Sequence, residues 1–152
     1  MQTPDSLNLI RICDDAGVVI APDWLMLAEG VHRQLRPQLP YDYVGKMHKV
    51  FAGGGRMAVV SNDDQALGIA LWHCYEDTFN GIKFYVDDLV TDAAYRSLGV
   101  GQAMMAFLER EARRLGAAGI VLDSGTQRTQ AHRFYFREGF VITSFNFKKM
   151  FV

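Results

Sequence analysis

Strand-like and helix-like stretches alternate along this chain, and turn signals join consecutive strands, so the sequence predicts an α+β fold. A third observation, two glycines one residue apart ahead of an amphipathic stretch, marks where such a fold would meet a ligand. The 152 residues are 49% hydrophobic, enough for one ordinary globular domain with a real core. No repeat, low-complexity tract or linker marks a second, so residues 1–152 are expected as a single domain.

The elements follow in order. Leu9 to Cys13 reads as a first strand. Pro22-Asp23-Trp24 opens a helix that must finish by Arg36, because Pro37 disfavours helical geometry in the residue before it. A second helix spans Tyr43 to Phe51, with Val44, Met47 and Phe51 on one face, and Gly53-Gly54-Gly55 ends it as a flexible connector. Met57 to Val60 is strand-like, and Asn62-Asp63-Asp64-Gln65 is a hairpin signal leading into Ala66–Tyr75, where Leu67, Ile69 and Leu71 alternate. Asn80-Gly81 marks the next turn, and Ile82 to Thr91, rich in β-branched and aromatic residues, is the fourth strand. Met104, Phe107, Leu108, Ala112 and Leu115 then form a helical stripe capped by Gly116. Ile120-Val121-Leu122 is a short buried strand, a helix carries Tyr135, and Val141-Ile142 and the alternation from Phe145 to Phe151 suggest two closing strands.

Composition excludes several partners. The net charge is −1 at pH 7 and no basic block stands out, which argues against nucleic acid and against an anionic membrane surface. Cys13 and Cys74 lie far apart with no metal-ligand spacing, so free thiols in a reducing compartment and no structural metal are expected. No signal-peptide pattern or membrane-length apolar run is present. A cytoplasmic location is the expectation.

The glycine pair lies in Tyr95-Arg96-Ser97-Leu98-Gly99-Val100-Gly101-Gln102, between a strand and a helix. Glycines let a backbone approach an anion without Cβ clashes, and a helix start presents unpaired N–H groups and positive dipole density. The run is neither GxGxxG nor GxxxxGK[ST], so the dinucleotide and P-loop readings lose their weight. Roughly thirty residues downstream lies Ala131-His132-Arg133-Phe134-Tyr135-Phe136-Arg137-Glu138-Gly139-Phe140, in which Gly139 can supply the left-handed residue that ends a short helix. Taken alone, that segment reads more readily as a helix end with two core aromatics than as a catalytic one.

Together, Arg-x-x-Gly-x-Gly and Ala-x-x-Phe-Tyr-x-x-x-Gly-Phe resemble the GNAT (GCN5-related) N-acetyltransferase family. The resemblance is tight from Ile82 to Phe140 and only general before that. It implies an α/β/α sandwich with a mixed, mostly antiparallel sheet of about seven strands. Strands four and five would splay to admit a pantetheine arm. It further implies acetyl-CoA as co-substrate, held by Leu89, Val90 and Thr91 at the end of strand four and by Arg96, Ser97, Leu98, Gly99, Val100, Gly101 and Gln102. Arg128 stands where the family often has Asn, which implies a salt contact to a CoA phosphate or a surface position.

The chemistry implied is acetyl transfer to a primary amine of a small molecule or peptide by direct attack, since neither cysteine lies in a nucleophile motif. An aliphatic ammonium has no lone pair near neutral pH, so a base must take a proton and an acid must serve the leaving thiolate. Tyr135 occupies the family's position for that acid. Asp87 and Asp88, in Tyr85-Val86-Asp87-Asp88-Leu89-Val90-Thr91, are similar to the acidic pair of spermidine/spermine and thialysine N-acetyltransferases. On that likeness Asp87 is the candidate base and Asp88 a substrate-binding residue that attracts a cation. Adjacent strand residues face opposite sides, so the two share an environment only if a bulge distorts the strand; otherwise Asp88 anchors a bulge and Asp87 is a solvated edge residue.

His73 is a second-choice base through water, and His132 reads as a surface or capping residue. His32, His48, Trp24, Met26, Tyr41, Tyr43 and Met47 belong to the two early helices, which in that family line the acceptor groove; core packing accounts for most of them equally well. A homodimer is compatible with the sequence. The competing reading is a non-catalytic acyl-CoA-binding sensor or scaffold of the same fold, and a third is transfer of a longer acyl group past Leu89.

Overall fold

A computed structural model describes residues 6–152. The chain falls into two compact units, one reaching Val121 and one from Leu122 to Val152. In the first, β1 (Asn8–Arg11), β2 (Arg56–Ser61), β3 (Ala66–Asp77) and β4 (Gly81–Thr91) pair in sequence order, each antiparallel to the next. The short β5 (Ile120–Leu122) follows β4 at the edge. Helices α1 (Pro22–Leu35), α2 (Tyr43–Ala52) and α3 (Val100–Arg114) complete this unit, and α4 (Thr129–Arg137) belongs to the second.

The strand patterns explain the layering. Met57, Val59, Ile69 and Leu71 point to one face, where they share a core with Leu25, Ala28 and Val31 of α1 and with Tyr43, Met47 and Phe51 of α2. The alternate residues serve the other face, where the Trp72 ring lies 5.8 Å from that of Phe107 of α3 and stacks on Phe84 at 5.9 Å. Both faces are covered, which is why β2 reads as a continuous apolar run rather than an alternation. Val44, Met47 and Phe51 share that face of α2 as their spacing predicts, Val44 only partly buried, and Tyr43 joins them in the core.

Turn chemistry behaves as the residues dictate. The Asn62 side-chain oxygen accepts from the backbone N–H of Gln65 at 2.8 Å, closing the β2–β3 hairpin. The triple glycine is no loose connector. Gly54 has φ +102°, and the Gly54 and Gly55 N–H groups donate to the Phe51 and Val50 carbonyls at 3.1 and 2.9 Å, a Schellman end to α2. Across the unit, Glu111 of α3 is buried and takes hydrogen bonds from Arg11 and Arg114, which hold its carboxyl below the usual range.

Among the described residues the sheet has five strands, not seven. No strand is assigned from Val141 to Val152, and Val141, Ile142, Phe145, Phe147, Met150 and Phe151 are exposed. Alternation specifies which faces a strand would present. A strand also needs a neighbouring backbone to take its N–H and C=O groups, and the period of the side chains cannot supply one.

Candidate active site

Two clusters of the first unit carry the residues singled out above. One is the start of α3. Its N-cap is Gly99, left-handed at φ +83° and without a side chain to cap with, so the N–H groups of Val100, Gly101 and Gln102 have no intrahelical acceptor and no capping oxygen. Ser97, two residues earlier, is also left-handed at φ +64°. Two left-handed residues so close curl the backbone into the kind of N–H concavity that takes an anion. Arg96, Ser97, Leu98 and Gln102 are exposed, while Val100 is buried and anchors the turn.

That anchor depends on Gly68 of β3. A Cβ there would lie 2.7 Å from Val100 Cγ1 and 3.2 Å from the Val90 carbonyl oxygen. Glycine therefore lets α3 sit down on β3 beside the end of β4, where Leu89, Val90 and Thr91 are half-buried. A lone glycine within a strand pattern is the sequence signal for such an approach. The incoming loop is tied as well: the Tyr95 hydroxyl donates to Gln65 Oε1 at 2.6 Å, and the Ala93 N–H to Gln34 Oε1 at 2.9 Å.

The second cluster sits at a bulge in β4. Leu71 pairs with Asp88 but Trp72 pairs with Val86, leaving Asp87 as the extra residue. The bulge turns both carboxylates to the α1–α2 face of the sheet. Asp88 is buried, and each of its oxygens is engaged: Oδ2 lies 2.7 Å from His32 Nε2, and Oδ1 takes 2.8 and 2.6 Å contacts from Arg36 Nε and Nη2. Burial pushes its carboxyl up, and the hydrogen bonds from His32 and Arg36 outweigh that and hold it below the ordinary value. Arg36 Nη2 also donates to the Asp87 carbonyl at 3.2 Å, so the end of α1 pins the bulge.

Behind Asp88, His32 Nδ1 meets the Tyr43 hydroxyl at 2.9 Å, and burial pushes that phenol far up. His32 and Tyr43 are thus core members of a polar chain rather than groove residues, as is Met47 of the apolar core; Tyr41, His48 and Met26 are exposed. Asp87 has a different partner. Its Oδ2 lies 2.7 Å from His73 Nδ1 of β3, and both side chains are about 30% exposed.

In the second unit, the Tyr135 ring makes edge contacts with Phe134 and Phe140 at 5.7 and 5.6 Å. Burial raises its phenol, with Arg128 opposing. Gly139, φ +89°, ends α4 as its position foretold, with the Phe140 N–H donating to the Tyr135 carbonyl at 2.9 Å and the Gly139 N–H to that of Phe136 at 3.1 Å. His132 Nε2 meets the Gly125 carbonyl oxygen at 2.8 Å, which ties α4 to the loop before it. Arg128 is exposed. Among the described residues no cluster of His, Cys, Asp and Glu could hold a metal, and no helix is long and apolar enough to cross a membrane.

An uncapped glycine-led helix start follows β4, and a histidine–carboxylate pair spans β3 and β4. Residues 22–140 match the family described as Acetyltransferase (GNAT) family, and the chain belongs to it. It is 41% identical over 70 residues to the uncharacterized N-acetyltransferase YhdJ of Bacillus subtilis, covering 45% of this chain and 49% of that protein. It is 38% identical over 64 residues to the aminoalkylphosphonate N-acetyltransferase of Salmonella typhimurium, covering 42% of each. The matched stretches span about half the length of these curated relatives.

Among solved structures, the fold is similar to a Trypanosoma brucei acetyltransferase (TM-score 0.76, 19% identity, 96% of this chain and 100% of that one). It is also similar to the aminoglycoside N-acetyltransferase AAC(6')-Iy in complex with CoA (TM-score 0.80, 17% identity, 95% and 94%).

Proposed function

We propose that this chain is an acetyl-CoA-dependent N-acetyltransferase that acetylates a primary amine of a small molecule or peptide by direct attack, with residues 1–152 acting as one domain. The observation that carries the reading is the start of α3, where three backbone N–H groups lack partners behind a left-handed glycine. Such a start fits a diphosphate, with Arg96 adding a charge-assisted contact. Leu89, Val90 and Thr91 would hold the pantetheine arm, and Arg128 would reach a phosphate. Acetyl-CoA supplies the activated acyl group; the chain's own part is to bind it, to free the amine of a proton and to protonate the leaving thiolate.

Tyr135 is the proposed donor to that thiolate, and burial supports this by keeping its phenol protonated at neutral pH. Asp87 and His73 together form the proposed proton-accepting group. Asp88, with both oxygens engaged inside the protein, serves by holding the bulge that presents Asp87. Arg36 balances the Asp88 charge and Asp87 is committed to His73, so the proposed transfer asks for one amino group on the acceptor and does not depend on a second cation. The likeness to the Salmonella aminoalkylphosphonate N-acetyltransferase adds aminoalkylphosphonates to the acceptors worth testing.

Calorimetric titration with acetyl-CoA tests the reading. The wild type should bind below millimolar concentration, and Gly101→Val, which puts a branched side chain at the second position of α3, should bind at least tenfold more weakly while staying folded. Equal binding by the two proteins would refute it, and tight binding with no turnover of any amine would favour a sensor or scaffold instead.

A further inference from the structure

We infer that the group accepting the amine's proton is Nε2 of His73, with Asp87 as its positioning residue rather than the base itself; the inference rests on the acetyl-transfer reading above. Asp87 Oδ2 sits 2.7 Å from His73 Nδ1, and a carboxylate can only accept, so the proton of the neutral ring is on Nδ1 and the lone pair is on Nε2. Nε2 has no partner among the described residues. The side chain is 29% exposed, which leaves it open to an acceptor amine.

The arrangement is built, not incidental. The β4 bulge makes Asp87 the extra residue and turns it toward His73, and Arg36 holds its carbonyl from the far side. The end of α2 lies beside the His73 ring, where a Cβ on Gly54 would sit 3.5 Å from His73 Cδ2, in ordinary van der Waals contact. The groups around the ring are Asp87, Tyr85 directly across the strand pair, and the Asp88 carboxylate one position further along β4, itself paired with Arg36 and hydrogen-bonded to His32.

Chemistry favours the imidazole. As model groups, a carboxylic acid titrates about 2.6 pK units below an imidazolium, so taking a proton from an alkylammonium of pKa about 10 is uphill by about 6 units for a carboxylate and about 3.5 for an imidazole. The ammonium gives one proton to Nε2, and the freed lone pair attacks the thioester carbonyl carbon. The C–N bond forms and the C–S bond breaks; the amide nitrogen loses its second proton, the thiolate gains one, and His73 returns its own to solvent. One proton is released overall.

The test has two arms. In the first, nitrogen NMR of the histidine rings, with His73 assigned by its disappearance in His73→Asn, should show an Nδ1–H tautomer in the wild type and a growing Nε2–H population in Asp87→Asn; an Nε2–H ring in the wild type overturns the pairing. In the second, His73→Asn, which keeps a donor toward Asp87 and removes Nε2, is assayed on amines of different basicity at one pH. Loss of kcat/KM should reach at least 100-fold for a strongly basic alkylamine and stay within tenfold for a fluorinated amine already neutral at that pH. An equal loss on both, or none on either, overturns the role. A wild type that releases CoA with no amine would instead overturn the acetyl-transfer reading, and the NMR arm would then decide the pairing by itself.

Discussion

Asp88→Asn is the sharpest structural perturbation available, because one carboxylate ties α1 to the bulge of β4. The substitution keeps the shape and an acceptor for His32 but removes the charge that Arg36 Nε and Nη2 contact at 2.8 and 2.6 Å. Removing one partner of a buried ion pair costs about 3–5 kcal/mol. The Arg36 side chain is 40% exposed and can turn to water, so its share is discounted and the expected loss is about 2–3 kcal/mol. For a chain of this size that lowers Tm by roughly 5–10 °C.

The pH dependence of that gap follows from the direction of the Asp88 shift. The folded carboxyl titrates below the unfolded one, which lies at about 3.9. The stabilisation is therefore complete above the unfolded value and disappears as pH falls through the folded one, so mutant and wild type should converge in strong acid. Urea denaturation of both proteins at neutral and acid pH checks this. Equal midpoints at pH 7, or a gap as wide in strong acid as at neutrality, would refute the assignment of Asp88 to the bulge.

Other outcomes follow from the same geometry. Gly68→Ala should overpack the seat of α3, costing about 1–3 kcal/mol and weakening acetyl-CoA, and Gly68→Ala/Val100→Ala should recover part of both in the same titration. Tyr135→Phe should lower turnover by roughly 100- to 10,000-fold with little change in acetyl-CoA affinity; an unchanged rate of the chemical step would leave the ring as packing against Phe134 and Phe140. Because Asp87 and Asp88 each have an internal partner, a diamine should gain little over a matched monoamine, and the ratio of their kcat/KM should barely move with salt; a preference for the diamine that collapses as salt rises would restore the two acids to cation binding.

The sequence was legible where one residue type forces one backbone state. Pro37 and Pro22 bracket α1, Asn62 closes a hairpin, and Gly116 and Gly139 sit left-handed just past α3 and α4. The helix start behind Gly99 was legible for the same reason, as a glycine pair ahead of an amphipathic stretch. What escaped was pairing at long range. That Asp87 would be the bulge residue depends on the register of β3 against β4, and that Asp88 would meet His32 and Arg36 depends on how α1 crosses the sheet. The final residues, 141–152, carry a strand's alternation without a strand's backbone partners, so pattern and structure part there.

The central claim is that acetyl moves from acetyl-CoA to an amine on this chain, and thiol release measured over a panel of primary amines, with the product weighed by mass spectrometry, tests it most directly. The account predicts enzyme-dependent CoA release matched one for one by a product heavier by one acetyl group in place of one hydrogen. No acetylated product from any amine, under conditions where calorimetry shows acetyl-CoA bound, would contradict it.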